Sequence, residues 1–357
     1  MSQTLDYKRV ISVRNAIIVA AVLVLSYAVI SILLKDYDDL RTNVLNVHTV
    51  ISDLFATLCL FYGAYNSKYY TRMYIAWTLI ALSRLSFTLG DIAWGIIETV
   101  MHESPFPSIA DVGFLSFYPL FALGILMLPK EPLSSSEKLK VFLDSGILVI
   151  ASIIIFWIML IAPTIASNAN EDPLTLTLAV AYPVADLLLL FGPIEVLFRR
   201  IKSFNSSPIL FLVASMSCLI ATDFVFMDQS LRGTYISGGL VDAGWIASYA
   251  LMGLAGVSQA NSGRIDPSSG KGTASKTVYF AWPIYIPSIC IAIVYLILIW
   301  SYYHPLPISF SVLSWALGGI IGFFALRQIL VLRENASLYK EAQEEIAERV
   351  VMQSQVI

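Results

Sequence analysis

The chain has 357 residues, 57% of them hydrophobic and only 13% charged, with a mean hydropathy of +0.76 and a formal net charge of −3. A soluble domain carries roughly 25% charged residues, so this composition excludes one; the net charge itself says little, because the charge sits in loops, and no nucleic-acid partner is expected. The missing charge is absent from runs of about 20 residues, long enough to cross a bilayer at 1.5 Å per residue, which predicts an all-α polytopic membrane protein.

Taken in chain order, about ten spans are predicted: 13–34, 45–65, 73–97, 109–128, 139–163, 174–198, 207–227, 238–258, 278–302 and 308–332. The first opens on Arg14 and Asn15 with no small-residue cleavage site behind it, so it reads as a span and not as a signal peptide. Lys and Arg fall mainly in alternate loops: Lys8, Arg9 and Arg14, then Lys68 and Arg72, then Lys130, Lys138 and Lys140, then Arg199, Arg200 and Lys202, then Arg264, Lys271 and Lys276. The opposite loops hold only Lys35, Arg41 and Arg232. Cytoplasmic loops carry the excess of Lys and Arg, so both termini are expected in the cytoplasm, with the protein in the cell membrane.

A ten-residue phrase occurs twice. Asp111-Val-Gly-Phe-Leu-Ser-Phe-Tyr118-Pro-Leu120 opens the fourth span, and Asp242-Ala-Gly-Trp-Ile-Ala-Ser-Tyr249-Ala-Leu251 opens the eighth. Upstream, Asp53, Asp91 and Asp111 align with Asp186, Asp223 and Asp242 at offsets of 133, 132 and 131 residues. The expectation is two parallel four-helix repeats, at 1–133 and 134–258. A Gly/Ser-rich linker at 259–277, a final pair of spans at 278–332 and a cytoplasmic coil at 333–357 follow. Ile329, Leu332, Ala336, Tyr339, Gln343, Ile346, Val350, Gln353 and Ile357 recur at steps of three and four, the seam of a parallel coiled coil in a homodimer. That pattern stops at Ile357 without a cap, and a soluble domain is expected beyond it.

Ionisable residues within spans are expensive and mark functional sites by default. Asp91 and Asp223 come late in their helices, where the dipole disfavours an anion, so they need a partner, and they lead the ligand-binding candidates. Asp111 and Asp242 sit in first turns. Ser108-Ile-Ala-Asp111 has the spacing of a capping box, a structural role compatible with ligand contact. Tyr118 and Tyr249 follow these acids by seven residues on the same helix face. Arg84 is the one basic residue deep in a span and requires a carboxylate, for which Asp53 and Asp186 are the candidates. The acids gather toward one leaflet, which implies a polar pocket for a cation, a proton or a small molecule with donor groups. Trp77, Trp94, Trp245 and Trp300 read as an interfacial aromatic belt.

Several chemistries are set aside. No lysine lies deep in a span to carry a retinal Schiff base, and His48, His102 and His304 do not pair as haem ligands. Cys59, Cys218 and Cys290 read as small apolar residues, so no metal, cofactor or catalytic residue is expected.

The stretch Pro105-Phe-Pro-Ser-Ile-Ala-Asp111-Val-Gly-Phe-Leu-Ser-Phe-Tyr118-Pro-Leu-Phe-Ala-Leu-Gly124 resembles the multi-span N-terminal sensor region of prokaryotic signalling proteins. These include archaeal membrane histidine kinases and bacterial GGDEF and EAL proteins. The resemblance covers spans three to eight and, in layout, the coil. It implies a sensor and transducer that feeds a cytoplasmic output domain, fused or docked, with no catalytic role for this chain itself. The competing reading is an ion-coupled small-molecule transporter that uses the intramembrane aspartates.

Overall fold

The computed structural model describes residues 11–129, 134–190, 207–262 and 285–354. They fold into α1 (Val13–Leu33), α2 (Asp38–Asn66), α3 (Thr71–Ile96), α4 (Ala110–Met127), α5 (Ser135–Phe156), α6 (Ala162–Ser167), α7 (Pro173–Leu189), α8 (Ser207–Leu231), α9 (Ala243–Ser262), α10 (Ile286–Tyr303) and α11 (Phe310–Ser354). π-Helical turns extend α3 over Ile97–Met101 and join α5 to α6 over Trp157–Ile161, and a 3₁₀ turn, Leu240–Asp242, leads into α9.

Among the described residues, nine helical runs are long and apolar enough to cross a membrane, and Pro173–Leu189 is a shorter apolar helix. The described residues are thus all-helical, with the long apolar helices of a polytopic membrane protein. The predicted span 174–198 is seen as helix to Leu189, and its remainder from 191 lies outside the described residues. The expected linker at 259–277 is described only to Ser262, where it continues α9. Lys8, Arg9, Lys130, Arg199, Arg200, Lys202, Arg264, Lys271 and Lys276, on which the expected orientation rests, also lie outside the described residues.

Local chemistry sets the helix starts. The Ser12 hydroxyl accepts the Asn15 amide at 3.1 Å to cap α1. Asp172 caps α7 by accepting the amides of Leu174 and Thr175, and Pro173 takes the first helical position, where no amide is needed. Before α4, Ala110 donates to the Ser108 hydroxyl at 3.1 Å and Ser108 donates its amide to Asp111 at 2.6 Å. The Asp111 half of the expected capping box forms, whereas the Ser108 hydroxyl takes the Ala110 amide in place of that of Asp111.

The described residues divide into two compact units. One takes Met1–Glu131 and Phe156–Phe280, the other Pro132–Ile155 and Ala281–Ile357. The units do not follow the sequence domains one for one, because α5 to Ile155 groups with α10 and α11. In the first unit α3 packs on α4, α8 and α2 pack on α9, and α1 packs on α9, around Trp77, Ile80, Phe117, Phe121, Ile246 and Met252. Helices without a hydrophobic drive between them associate through close van der Waals contact at small residues. At the α2–α9 crossing a Cβ on Gly63 would stand 2.6 Å from the Gly256 oxygen, and one on Gly256 would stand 2.3 Å from the Cys59 oxygen.

In the second unit the Asp144 carboxylate of α5 accepts from Arg327 Nε of α11 at 3.1 Å, and Lys140 pairs with Glu334. α11 is one unbroken helix of 45 residues. Ile329, Leu332, Tyr339 and Ile346 of the heptad series are exposed on it. The side chain of Val350 and residue Ile357 lie outside the described residues.

Two outcomes follow from these contacts. Gly256→Ala is expected to lower the unfolding temperature in detergent, at a cost of about 1–3 kcal/mol from overpacking, although alanine favours a helix by up to about 1 kcal/mol. Gly319→Ala, with nothing within 4 Å of the added carbon, should leave it unchanged or raise it. Separately, the Asp172 carboxyl is held below its ordinary value of 3.8 by the Thr175 hydroxyl and then by the Thr175 and Leu174 amides. A depressed value stabilises the folded helix start above that ordinary value, and the effect is lost as pH falls through the folded value. Exchange protection at Leu174 and Thr175 should therefore exceed that of Asp172→Ala at neutral pH, and the difference should vanish in acid.

Candidate functional site

A cavity of about 720 Å³ opens within the first unit. Five acids line it: Asp91 and Glu98 from α3 and its π-turn, Asp186 from α7, Asp223 from α8 and Asp242 before α9. Tyr118 and Tyr249 line it as well. Five of the six expected ligand-binding residues thus meet in one space. The sixth, Asp111, does not line it. Its carboxylate caps α4 and accepts the hydroxyl of Tyr182, which does line the cavity.

Arg84 is fully buried and pairs with Asp53, also fully buried. Of the two carboxylates the sequence leaves open, the structure selects Asp53. Asp186 is instead reached by the Tyr118 hydroxyl at 2.7 Å and lies against Asp223. The tie between the two halves of the sequence that an Arg84–Asp186 pair would have made is made by Tyr118–Asp186. The guanidinium carbon of Arg84 stands 3.9 Å from the centre of the Tyr249 ring and 4.4 Å from that of Phe87, both cavity residues. Asp91 lies against Asp53 and Tyr249. Its Oδ2 has no hydrogen-bond partner among the described residues, nor does Asp53 Oδ2, Arg84 Nη1 or Arg84 Nη2.

Asp223 accepts from the indole nitrogen of Trp245 at 2.6 Å. Asp242 Oδ2 accepts from the Gly238 amide at 2.8 Å and from the hydroxyls of Tyr235 at 3.3 Å and Tyr27 at 3.4 Å. Its Oδ1 has no partner among the described residues. Burial, and then the Asp242 carboxylate, hold the Tyr235 hydroxyl well above the ordinary phenol range, so it serves as a donor throughout the physiological range. Gly238 has a φ of +73°, which favours glycine, and this turn brings the amide onto the carboxylate. The Ser31 hydroxyl holds the Gly238 oxygen at 2.7 Å.

Three tryptophans depart from the belt reading. Trp77 is fully buried, Trp94 donates to Glu98 at 3.1 Å, and Trp94 and Trp245 both line the cavity. Trp300 remains exposed and stacks on His304.

Glu98, Tyr182, Tyr27 and Tyr235 belong to the site without having been singled out in the sequence. For two of them a signal exists. Glu98 follows Asp91 by seven residues and Tyr182 precedes Asp186 by four, so each shares its helix face. Among the described residues no group of His, Cys, Asp or Glu converges as a metal site. Compared with known proteins, the chain matches no family model, no curated sequence and no solved structure.

Removing one partner of a buried ion pair leaves an uncompensated charge, at a cost of about 3–5 kcal/mol, whereas an apolar replacement of both is far milder. Arg84→Met and Asp53→Leu should each destabilise strongly, and the double variant should recover most of the loss in a denaturant-unfolding cycle.

Proposed function

We propose that this chain is a membrane-embedded sensor and transducer, which binds a small molecule in the acidic cavity and relays its presence through α11 to a cytoplasmic output domain of the histidine kinase or cyclic-di-GMP enzyme type. One observation carries the reading: a single cavity gathers four of the six aspartates, and both tyrosines, that occur at matching offsets in the two halves of the sequence. Two parallel repeats account for those matches, and for a second set as well. Ser86 donates to the Gly113 oxygen at 2.6 Å and Cys218 donates to the Gly244 oxygen at 3.3 Å, two bonds at corresponding positions.

The relay has a physical route. Thr164 and Ser167 of α6 line the cavity, and they belong to the same uninterrupted helical run, Ser135–Ser167, that carries Asp144. Asp144 in turn pairs with Arg327 of α11. A ligand that binds two arrangements of this run unequally shifts the population between them. The exposed series Ile329, Leu332, Tyr339 and Ile346 supplies the seam for a homodimer in which α11 pairs with its copy. Both termini are cytoplasmic on this reading, in the cell membrane.

The test is disulfide crosslinking in native membranes. Tyr339→Cys and Ile346→Cys should each join two subunits, whereas Glu344→Cys, off the seam, should do so poorly. Failure of both seam cysteines would remove the dimer and with it the relay. Flux of a small solute through liposomes carrying the purified chain, lost in Asp223→Asn, would favour the ion-coupled transporter instead.

A further inference from the structure

The cavity is acidic, and the cation beside it, Arg84, is already paired to Asp53. Asp91, Glu98, Asp186, Asp223 and Asp242 line it, and among the described residues no Lys, Arg or His does. Its walls include Phe87, Trp94, Tyr118, Phe226, Trp245 and Tyr249. Rings present a negative face to a cation, an attraction that grows when water is excluded. Asp242 is only 5% exposed, and its Oδ1 has no partner among the described residues. A buried acceptor without a partner is costly unless a donor or cation meets it.

The protein already holds one cation in such a setting. The Arg84 guanidinium sits over Tyr249 and Phe87, is paired to Asp53 and lies beside Asp91. In the second half, Asp186 and Asp223 stand at the offsets of Asp53 and Asp91, and Tyr118 takes the place of Tyr249. The position that corresponds to Arg84, at the same 132-residue offset that relates Asp91 to Asp223, is Met216. Met216 is buried and carries no charge. Two adjacent carboxyl groups hold a proton between them or a cation beside them. Here the donors within hydrogen-bond distance are neutral, Tyr118 on Asp186 and Trp245 on Asp223.

We infer that the cavity binds a small organic ammonium ion, seated against Asp186 and Asp223 and framed by Tyr118 and Trp245, in the role that Arg84 fills in the first half. The inference deepens the sensor reading by naming the ligand class of its cavity. A bare metal ion fits less well. No carboxylate set among the described residues converges on a point, and the cavity has the volume of a small-molecule site.

The probe is choline, set against 3,3-dimethyl-1-butanol, which has the same shape without the charge. The full chain in detergent is titrated with each, with thermal unfolding and tryptophan fluorescence as readouts. Choline, or failing that tetramethylammonium or ethylammonium from the same panel, should raise the unfolding temperature and change the Trp245 emission, while the alcohol does neither. Asp223→Asn, which keeps the side-chain shape, should weaken the effect about tenfold or more, as expected when one partner of a buried charge pair is lost. Met216→Arg, which supplies the missing charge from within, should remain folded and lose the response. Asp242→Asn provides a second acidic variant should Asp223→Asn fail to fold.

Silence of every ammonium probe, or an equal response to the alcohol, overturns the inference. The sensor reading fails separately. If choline binds with the expected dependence on Asp223 but leaves the Tyr339→Cys crosslink unaltered, the cation site stands and the relay does not.

Discussion

A charge that cannot be discharged must be matched where it lies, and in this protein that charge is Arg84. A guanidinium in an apolar helix bundle is tolerated only with a carboxylate and with surfaces that accept its faces. Asp53 supplies the first from α2, and Phe87 and Tyr249 supply the second from α3 and α9. The pair therefore fixes the register of α2 against α3 and draws α9 onto both. α9 approaches α2 closely enough to require glycine on each side, at Gly63 and Gly256. One wall of the cavity, with Asp91 and Tyr249 on it, is thus set by a constraint that tolerates little movement.

Another part of the lining is built differently. Asp186 and Asp223 are met by a phenol and an indole, neutral donors that orient a carboxylate without cancelling its charge. α4 and α7 are joined by a reciprocal exchange in which Tyr118 of α4 donates to Asp186 of α7 and Tyr182 of α7 donates to Asp111 of α4. On the proposed reading, a bound cation would compete for the Asp186 oxygen through which α7 holds Tyr118 of α4.

The pattern of spans was legible because a bilayer imposes length and apolarity on each helix independently of its neighbours. The acids of the site were legible for a related reason: Asp91, Asp186, Asp223 and Asp242 are anomalous in their own segments before any packing is known. Partners were not legible in the same way. Sequence gives the depth of Arg84, Asp53 and Asp186 but not the direction each faces, so the choice between two carboxylates at similar depth waited on the packing of α2 against α3. Trp94 and Trp245 were misread because an indole near a helix end fits an interfacial belt and a cavity wall equally well, and only the neighbouring carboxylates, Glu98 and Asp223, distinguish the two. Tyr27 and Tyr235 had no local signal: Tyr27 reaches Asp242 from α1, and Tyr235 reaches it across the turn at Gly238, whose oxygen the Ser31 hydroxyl holds.

The grouping of α5 bears on how a signal would leave the cavity. The helical run from Ser135 to Ser167 changes unit at Ile155–Phe156, and it changes geometry at the adjoining π-turn, Trp157–Ile161. A π-turn carries an extra residue in a helix, is less regular than its surroundings, and recurs at functional positions. The cavity residues Thr164 and Ser167 follow it directly, and the ion pairs of Asp144 and Lys140 with α11 precede it. Transmission on the proposed reading then runs along a covalent helix, which cannot slip as two packed surfaces can. The weak point is the π-turn itself. An arrangement in which the extra residue is absorbed or moved would change the helical phase of Asp144 and Lys140 against that of Thr164 and Ser167 within this one run.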